Sequence, residues 1–150
     1  MPLGLALADP AASASDQANS AARVLDLTNA ERGNAGLPPL ALSVQLQAAA
    51  QTYSQLLASS ACFAHTCGPM PNLADRDAAA GYGDWTTIGE NLAGGYPTPE
   101  AVMAGWMASP DHRDNILSAS FTEVGIGVTT GGGRYRVYWA VEFGTRDDSD

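Results

Sequence analysis

The strongest constraint on the fold is a pair of alternating segments near the C-terminus that are joined by a run of glycines. In residues 122–129, valine and isoleucine alternate with Gly125 and Gly127, and in residues 134–143 an apolar residue occupies every second position. A period of two places the apolar side chains of a strand on one face, and the Thr-Gly-Gly-Gly sequence at 130–133 is typical of a hairpin turn. The segments therefore predict an antiparallel hairpin. The two glycines on the opposite face of its first strand indicate that another element packs closely there.

Helical spacing and capping residues predict that the preceding part of the chain is mainly helical. Each predicted helix begins near a residue that can accept a hydrogen bond from the first turn, or at a proline. The predicted helices run from Ser15 or Asp16 to about Arg32, from Ser43 to Ser59, over residues 73–80 after Asn72, from Thr98 to Pro110, and, as a short helix or turn, over residues 111–117. Residues 87–92 predict a short strand with Ile88, Glu90 and Leu92 on one side. Helices combined with an antiparallel hairpin favour an α+β fold built in layers.

The charge of the chain excludes several classes of partner. The formal net charge is −9, and all seven basic residues are arginines. Binding to a nucleic-acid backbone needs a basic surface that displaces counterions, so we expect no nucleic-acid partner. An anionic membrane surface would repel the chain, whereas small cations would be attracted. No run of about 18 apolar residues is present, so the sequence predicts no membrane span.

The two ends of the chain are predicted to lie outside the folded domain. A length of 150 residues fits one domain, which we place at residues 17–146 and expect to be a monomer. The Ala-Leu-Ala sequence at residues 6–8 is similar to a signal-peptidase site, although the charged segment of a complete signal peptide is missing. Residues 1–16 are therefore predicted to be a disordered leader or a signal-peptide remnant, and residues 147–150 a frayed acidic tail.

Two cysteines, Cys62 and Cys67, flank the first of two histidines. In a chain with a remnant of a secretion signal, a pair this close in sequence favours a local disulfide, and we expect a secreted, extracellular protein. The disulfide would hold His65 on a rigid loop. A zinc site formed by Cys62, His65 and Cys67 is the alternative, but a fourth ligand and the usual Cys-x-x-Cys spacing are missing.

His65 and His112 are the only histidines, and Glu90 lies between them in the sequence. Two imidazoles and one carboxylate are the minimum set for binding a divalent metal or for acid and base chemistry. His112 follows Pro110 and Asp111 at the predicted start of a helix, where the positive end of the helix dipole favours the neutral imidazole that binds metals. The alternative is that His112 and Glu90 are ordinary surface residues and that Asp111 caps the helix.

Six segments, taken together, resemble the CAP superfamily of cysteine-rich secretory proteins, antigen 5 and pathogenesis-related-1 proteins, in its bacterial secreted type. They occur in the order of that superfamily, and the resemblance as a whole extends over nearly everything from about Val24 to Gly144. The segments are residues 27–32 with 36–40 (LTNAER and GLPPL), 63–66 (FAHT), 89–91 (GEN), 98–100 leading to 105–107 (TPE and GWM), 109–117 (SPDHRDNIL) and 121–127 (FTEVGIG). The resemblance implies a three-layer α-β-α sandwich with a central antiparallel sheet.

The resemblance also implies a cleft lined by two histidines and acidic residues. The residues of this chain that we expect there are His65, Glu90 and His112, with Asn91, Ser109 and Asp111 beside them. In many eukaryotic relatives a second glutamate completes the set about one turn beyond the tryptophan that matches Trp106. This chain has no carboxylate at that place, and Asp111 is a nearby substitute.

Three functions follow from these residues and from the resemblance. The first is a cleft in which His65 and His112 bind a divalent cation, zinc favoured, with Glu90 as the third ligand or as a partner of a ligand. The second is a hydrolase in which Glu90 is the catalytic base or a metal-bound water attacks an amide or ester. The third, by analogy alone, is a module that binds a lipid or sterol as its extracellular ligand. The first is favoured, because the sequence has no HExxH protease signature and no serine-centred elbow motif.

Overall fold

A computed structural model describes residues 14–60, 62–67 and 71–147 of the chain. Within these residues it has five helices and four strands. They are α1 (Ala14–Asn34), β1 (Ala41–Leu42), α2 (Val44–Ser59), α3 (Leu73–Ala79), β2 (Trp85–Gly94), α4 (Pro99–Met107), α5 (Pro110–Ile116), β3 (Glu123–Thr130) and β4 (Val137–Arg146). None of the described helices has the length and hydrophobicity that crossing a bilayer requires.

Three helices begin where the capping residues predict. The side chains of Ser43, Asn72 and Thr98 each accept a hydrogen bond from the backbone N–H three residues later, over 2.9–3.1 Å. Helix α1 includes Ala14, one or two residues before its predicted start at Ser15 or Asp16, so residues 14–16 of the predicted leader are helical. Residues 1–13 and 148–150, the rest of the predicted leader and tail, lie outside the described residues.

The predicted hairpin is present as β3 and β4, which pair in antiparallel fashion along the whole of β3. Its loop covers residues 131–136 rather than 130–133. The three glycines of the loop have φ angles of 91°, 75° and 64°, and Arg136 has φ of 69°, all in the left-handed region. Because the chain turns over all of these residues, β4 begins only at Val137. The backbone N–H of Gly131 donates to the carbonyl of Arg136 (2.7 Å) and closes the loop.

The strands form one sheet in the order β1-β3-β4-β2. Strand β2 pairs with β4 in antiparallel fashion and is longer than the predicted 87–92 segment. The two residues of β1 pair in parallel with β3, so the sheet is mixed rather than purely antiparallel. This short strand was not predicted from the sequence, because two residues carry no periodic pattern.

Helices cover both faces of the sheet, which confirms the α+β sandwich of three layers. On one face, α1, α4 and α5 pack on a core that includes Val124, Trp139 and Phe143. On the other, α2 and the loop at residues 62–67 pack on Leu92, Tyr138 and Ala140. Helix α3 contacts α2 and β2 on this second side. Apolar side chains on both faces of β4 fit a strand that is buried between two layers.

Helix α2 lies directly against β3, as the alternating glycines predict. A Cβ atom on Gly125 or Gly127 would overlap the backbone of α2. At this distance the side chains of Gln47 and Gln51 accept hydrogen bonds from the backbone N–H groups of Ile126 and Val128 (2.7 and 3.0 Å). The helix therefore satisfies N–H groups of β3 that the short strand β1 leaves without a ladder partner.

Candidate functional site

Strand β2 places the predicted site at the edge of the sheet, between the two helical layers. Because alternate side chains point to opposite faces, Glu90 projects toward the loop at residues 62–67 and Asn91 toward α5. The carbonyls of Glu90 and Leu92 accept hydrogen bonds from the side chains of Asn115 and Trp106 (3.2 and 3.0 Å). Helices α4 and α5 thus cover the outer side of this edge strand and fix its position.

His65 lies on a loop that is fastened at several points. Cys62 and Cys67 form a disulfide with a Cα–Cα distance of 5.7 Å, which confirms the predicted pair and excludes the alternative in which both thiolates bind zinc. The hydroxyl of Tyr53 donates to the carbonyl of Ala64 (2.6 Å). The backbone around His65 is therefore fixed, while its imidazole remains 60% exposed.

Glu90 contacts His65 directly and is almost completely buried. Its Oε1 lies 2.7 Å from Nδ1 of His65, and only 2% of its side chain is exposed. Burial alone would raise the pKa of Glu90, but the hydrogen bonds from His65 and Arg76, together with the neighbouring carboxyl group of Glu142, outweigh it and hold the pKa below its usual range. The same bond to Glu90 raises the pKa of His65. Glu90 is therefore ionised, and Nδ1 of His65 carries the proton between them.

Arg76 of α3 holds the other side of Glu90 and is itself buried, with 5% of its side chain exposed. Its Nη1 donates to Oε2 of Glu90 (2.7 Å) and its Nη2 to Oε1 (3.3 Å), a two-pronged pairing. Nη2 also donates to the backbone carbonyl of His65 (2.8 Å), and Nε donates to that of Pro71 (3.1 Å). The guanidinium carbon lies 3.5 Å from the ring centre of Tyr53. Arg76 thus binds the carboxylate and the histidine loop at once.

Two further carboxyl groups, those of Glu142 and Asp77, are fully buried nearby. Glu142 lies opposite Glu90 in the β2–β4 register, and its Oε2 is 3.4 Å from Nη1 of Arg76. Burial raises the pKa of Glu142 well above its usual range, and Glu90 raises it further. Burial also raises the pKa of Asp77, to about 6. Because two adjacent buried carboxylates disfavour each other's charged form, Glu142 holds its proton to a higher pH than Glu90 does.

His112 lies near the start of α5 and is half-buried. Its Nδ1 is 2.9 Å from the hydroxyl of Ser109, the N-cap residue, whose side chain makes no capping bond to the backbone. The backbone carbonyl of His112 accepts a hydrogen bond from Asn91 (3.0 Å), which in turn accepts one from Asn115 (2.8 Å). Ser109 and Asn91 therefore both position His112. Asp111 is exposed in the first turn of α5.

The structure brings the two predicted histidines into one electrostatic neighbourhood. Burial lowers the pKa of His112, and the charge of His65 lowers it further. Glu90 has both oxygens held, by His65 and Arg76, so its geometry suits a partner of His65 better than a third ligand. Among residues 14–60, 62–67 and 71–147, no group of three or more His, Cys, Asp or Glu side chains is placed to hold a metal ion.

Sequence reasoning did not identify Arg76, Glu142 and Asp77 as part of the site. Arg76 and Asp77 lie on a short predicted helix, and their proximity to Glu90 depends on how that helix packs. Glu142 carried a weak signal, because it follows Tyr138 and Ala140 on the same face of a strand, and a charged residue on a buried face requires a partner.

An apolar cavity of about 370 Å³ lies between α2 and α3. Its lining is mostly alanine and threonine methyl surface, with Leu56, and Arg76 forms part of its wall. A volume of this size is at the lower end of the range for small-molecule sites.

A family model establishes the relationship that the six segments of the sequence suggest. The model of the cysteine-rich secretory protein family, CAP, matches residues 25–143. The chain belongs to the CAP family. The matched region contains every element from α2 to β3 and, with them, all of the residues that form the candidate site.

Two proteins of Bacillus subtilis are similar to this CAP domain. The uncharacterized protein YkwD is 38% identical over 110 residues, which are 73% of this chain and 42% of YkwD. The uncharacterized membrane protein YlbC is 32% identical over 112 residues, which are 75% of this chain and 32% of YlbC. The chain therefore spans less than half the length of these relatives, and the similarity concerns one part of each.

Solved structures show the same fold. An extracellular protein of Bacillus anthracis that contains an SCP domain has a TM-score of 0.79 at 26% identity, over 93% of this chain and 45% of that one. An outer surface protein of Borrelia burgdorferi has a TM-score of 0.78 at 17% identity, over 92% and 98%. A cysteine-rich secretory protein of Staphylococcus aureus has a TM-score of 0.68 at 19% identity, over 89% and 41%. These three relatives are an extracellular, an outer-surface and a cysteine-rich secretory protein.

Proposed function

We propose that this CAP domain binds a divalent cation, with zinc favoured, through the two histidines of the cleft. The observation that carries the proposal is that Nδ1 of each ring is already engaged, by Glu90 for His65 and by Ser109 for His112 (2.7 and 2.9 Å). Histidines that bind metals through one nitrogen usually donate a hydrogen bond from the other, often to a carboxylate. Nε2 of each ring is then the nitrogen that would bind the ion.

The remaining coordination positions of such an ion would be filled by water or by an external ligand. Glu90 would act on the ion only through His65, because its own oxygens are engaged. Imidazole nitrogens are common zinc ligands, and zinc sites that take part in chemistry keep a position for water or substrate. The net charge of −9 adds a general attraction for cations.

We also propose that the domain functions outside the cytoplasm. The disulfide between Cys62 and Cys67 supports this, since structural disulfides persist in oxidising compartments. The extracellular and secreted type of the structural relatives supports it as well.

Isothermal titration with Zn²⁺ tests the metal proposal. We expect one bound ion per chain for the wild type and none for the His65→Ala/His112→Ala variant, since the chain has no other histidine. Asp26→Asn, which removes an exposed carboxylate on α1, is the control for loose attraction to the acidic surface and should bind as the wild type does. Equal binding by the double variant would contradict the proposal.

Hydrolysis and lipid binding stay hypotheses. For hydrolysis, the buried and fully engaged carboxylate of Glu90 is poorly placed as the base, so a metal-bound water is the better candidate. For a lipid or sterol, the cavity between α2 and α3 is the place that an apolar ligand would occupy. If a labelled sterol elutes separately from the protein, this would count against lipid binding.

A further inference from the structure

Arg76 joins four parts of the site that are distant in sequence. Its guanidinium donates to both oxygens of Glu90, to one oxygen of Glu142 and to the backbone carbonyls of His65 and Pro71. It also lies over the ring of Tyr53. All three nitrogens of the guanidinium are therefore engaged within or beside the cleft.

A second buried arginine, Arg32, differs from Arg76 in the groups to which it donates. Arg32 is 1% exposed, and its nitrogens donate to backbone carbonyls, those of Pro38, Ile116, Ser118 and Phe121. Such contacts join α1 to the segment after α5 and serve the fold. Arg76 instead donates mostly to the carboxylate of Glu90 and to the loop of His65, the histidine that Glu90 contacts. Burying a charge in this way is costly unless the partners are well placed.

We propose that Arg76 is the positioning residue of the cleft, which fixes the ring of His65 by holding Glu90 and the backbone carbonyl of His65 at the same time. The carboxylate of Glu90 is then oriented toward Nδ1, and the loop is held where the hydrogen bond between Nδ1 and Glu90 can form. Nε2 is directed away from Glu90 as a result. The consequence for ion binding rests on the proposed function, whereas the positioning itself is a property of the ion-free protein.

Nitrogen-15 NMR of the ion-free protein, at a pH where the rings are neutral, tests the positioning directly. The chain has two histidines, so the His112→Gln variant assigns the signals of His65. In the wild type we expect His65 to be held in the tautomer with the proton on Nδ1, because Nδ1 faces an ionised carboxylate. In Arg76→Met, Glu90 loses two donors, the loop loses one, and we expect a mixture of tautomers.

The matched control is Arg32→Met. It removes a buried guanidinium of the same size, and it is expected to lower stability while leaving the tautomer of His65 unchanged. If Arg76→Met is too unstable to measure, Arg76→Lys replaces it. Lysine keeps the charge but cannot reproduce the two-pronged geometry, so a shift in the same direction is expected.

Zinc titration of the same variants completes the test. Removing a group that orients a metal-binding histidine typically weakens binding about 10–100-fold, and we expect a loss of this size in Arg76→Met but not in Arg32→Met. An unchanged tautomer of His65 in both Arg76 variants would overturn the proposal. The two proposals can also fail separately. If His65 is held in one tautomer in the wild type and Arg76→Met abolishes this order, but the wild type binds no zinc, the positioning role is supported and the proposed metal function is rejected.

Discussion

At the scale of single residues, Asp77 is the group whose surroundings fit its charge least well. Its side chain is fully buried, and neither carboxylate oxygen has a hydrogen-bond partner among the described residues. Burial raises its pKa from 3.8 to about 6, against the attraction of Arg76 and with the charge of Glu90 adding to the rise. Ionising Asp77 therefore costs the folded state more than it costs the unfolded chain.

This shift predicts a loss of stability with rising pH. Between about 4 and 6 the folded state binds the proton of Asp77 more tightly than the unfolded state, so the contribution of Asp77 to the free energy of unfolding falls as the pH rises through this window. A rise in pKa from 3.8 to about 6 corresponds to roughly 2–3 kcal/mol, at about 1.4 kcal/mol for each pH unit. Urea unfolding of the wild type and of Asp77→Asn across this window measures the effect.

We expect the free energy of unfolding of Asp77→Asn to fall less, or rise more, with pH than that of the wild type over this window, because the contribution of Asp77 is removed. Glu142 also has a raised pKa and acts with the same sign, whereas the lowered pKa values of Glu90 and Glu123 act with the opposite sign. Asp26→Asn, at an exposed position, is the control and should keep the slope of the wild type. An identical slope in Asp77→Asn would show that the buried acid does not titrate in this range.

The residues of the site fall into two groups: those that a short sequence segment identifies, and those whose role depends on how distant segments pack. His65 and Glu90 were predicted because each lies in a short, recognisable segment, and the structure brings them into contact. Arg76 and Glu142 were missed because their roles come from the packing of α3 on the sheet and from the β2–β4 register. Asp111, the predicted substitute for a missing acid, is exposed at the start of α5 and stays a prediction, whereas Glu142 is a buried acid beside Glu90 that the sequence did not indicate.

At the scale of elements, the contact between β3 and α2 depends on two positions that lack a side chain. A Cβ atom on Gly127 would overlap the backbone of Ala50 and Gln51 in α2. Helix α2 cannot move without disturbing its own packing on Leu92, Tyr138 and Ala140. The alternation of glycine with valine and isoleucine in the sequence predicted this close approach. The sequence did not reveal which element packs there, since several amphipathic helices were candidates.

Gly127→Ala is therefore expected to lower the free energy of unfolding by about 1–3 kcal/mol or more, the usual cost of inserting a methyl group into packed structure. Gly33→Ala is the matched control. Gly33 lies in α1, and a Cβ atom there would meet no other atom within 4 Å. Its replacement should be neutral or stabilise by up to about 1 kcal/mol. Chemical denaturation of both variants measures the difference, and equal effects would show that α2 moves away at little cost.

At the scale of the whole molecule, the site exists because an edge strand lies between two helical layers. The loop of His65 comes from one layer, α5 with His112 comes from the other, and β2 carries Glu90 and Asn91 to opposite sides. The three layers and the hairpin were predicted from periodicity and from the resemblance. The parallel strand β1 and the length of the β3–β4 loop were not, because they depend on neighbouring elements rather than on local pattern.

The extent of the folded domain stays a prediction, and truncation tests it. The side chain of Gln17 in α1 accepts a hydrogen bond from the backbone N–H of Thr130 at the end of β3 (2.9 Å), so the contribution of α1 to the fold reaches at least to this residue. Removing residues 1–13 should leave the urea midpoint unchanged, if these residues are a leader. Gln17→Ala in the full chain should cost about 1 kcal/mol, the usual net value of one hydrogen bond. A loss from the truncation as large as that from Gln17→Ala would place part of residues 1–13 inside the folded domain.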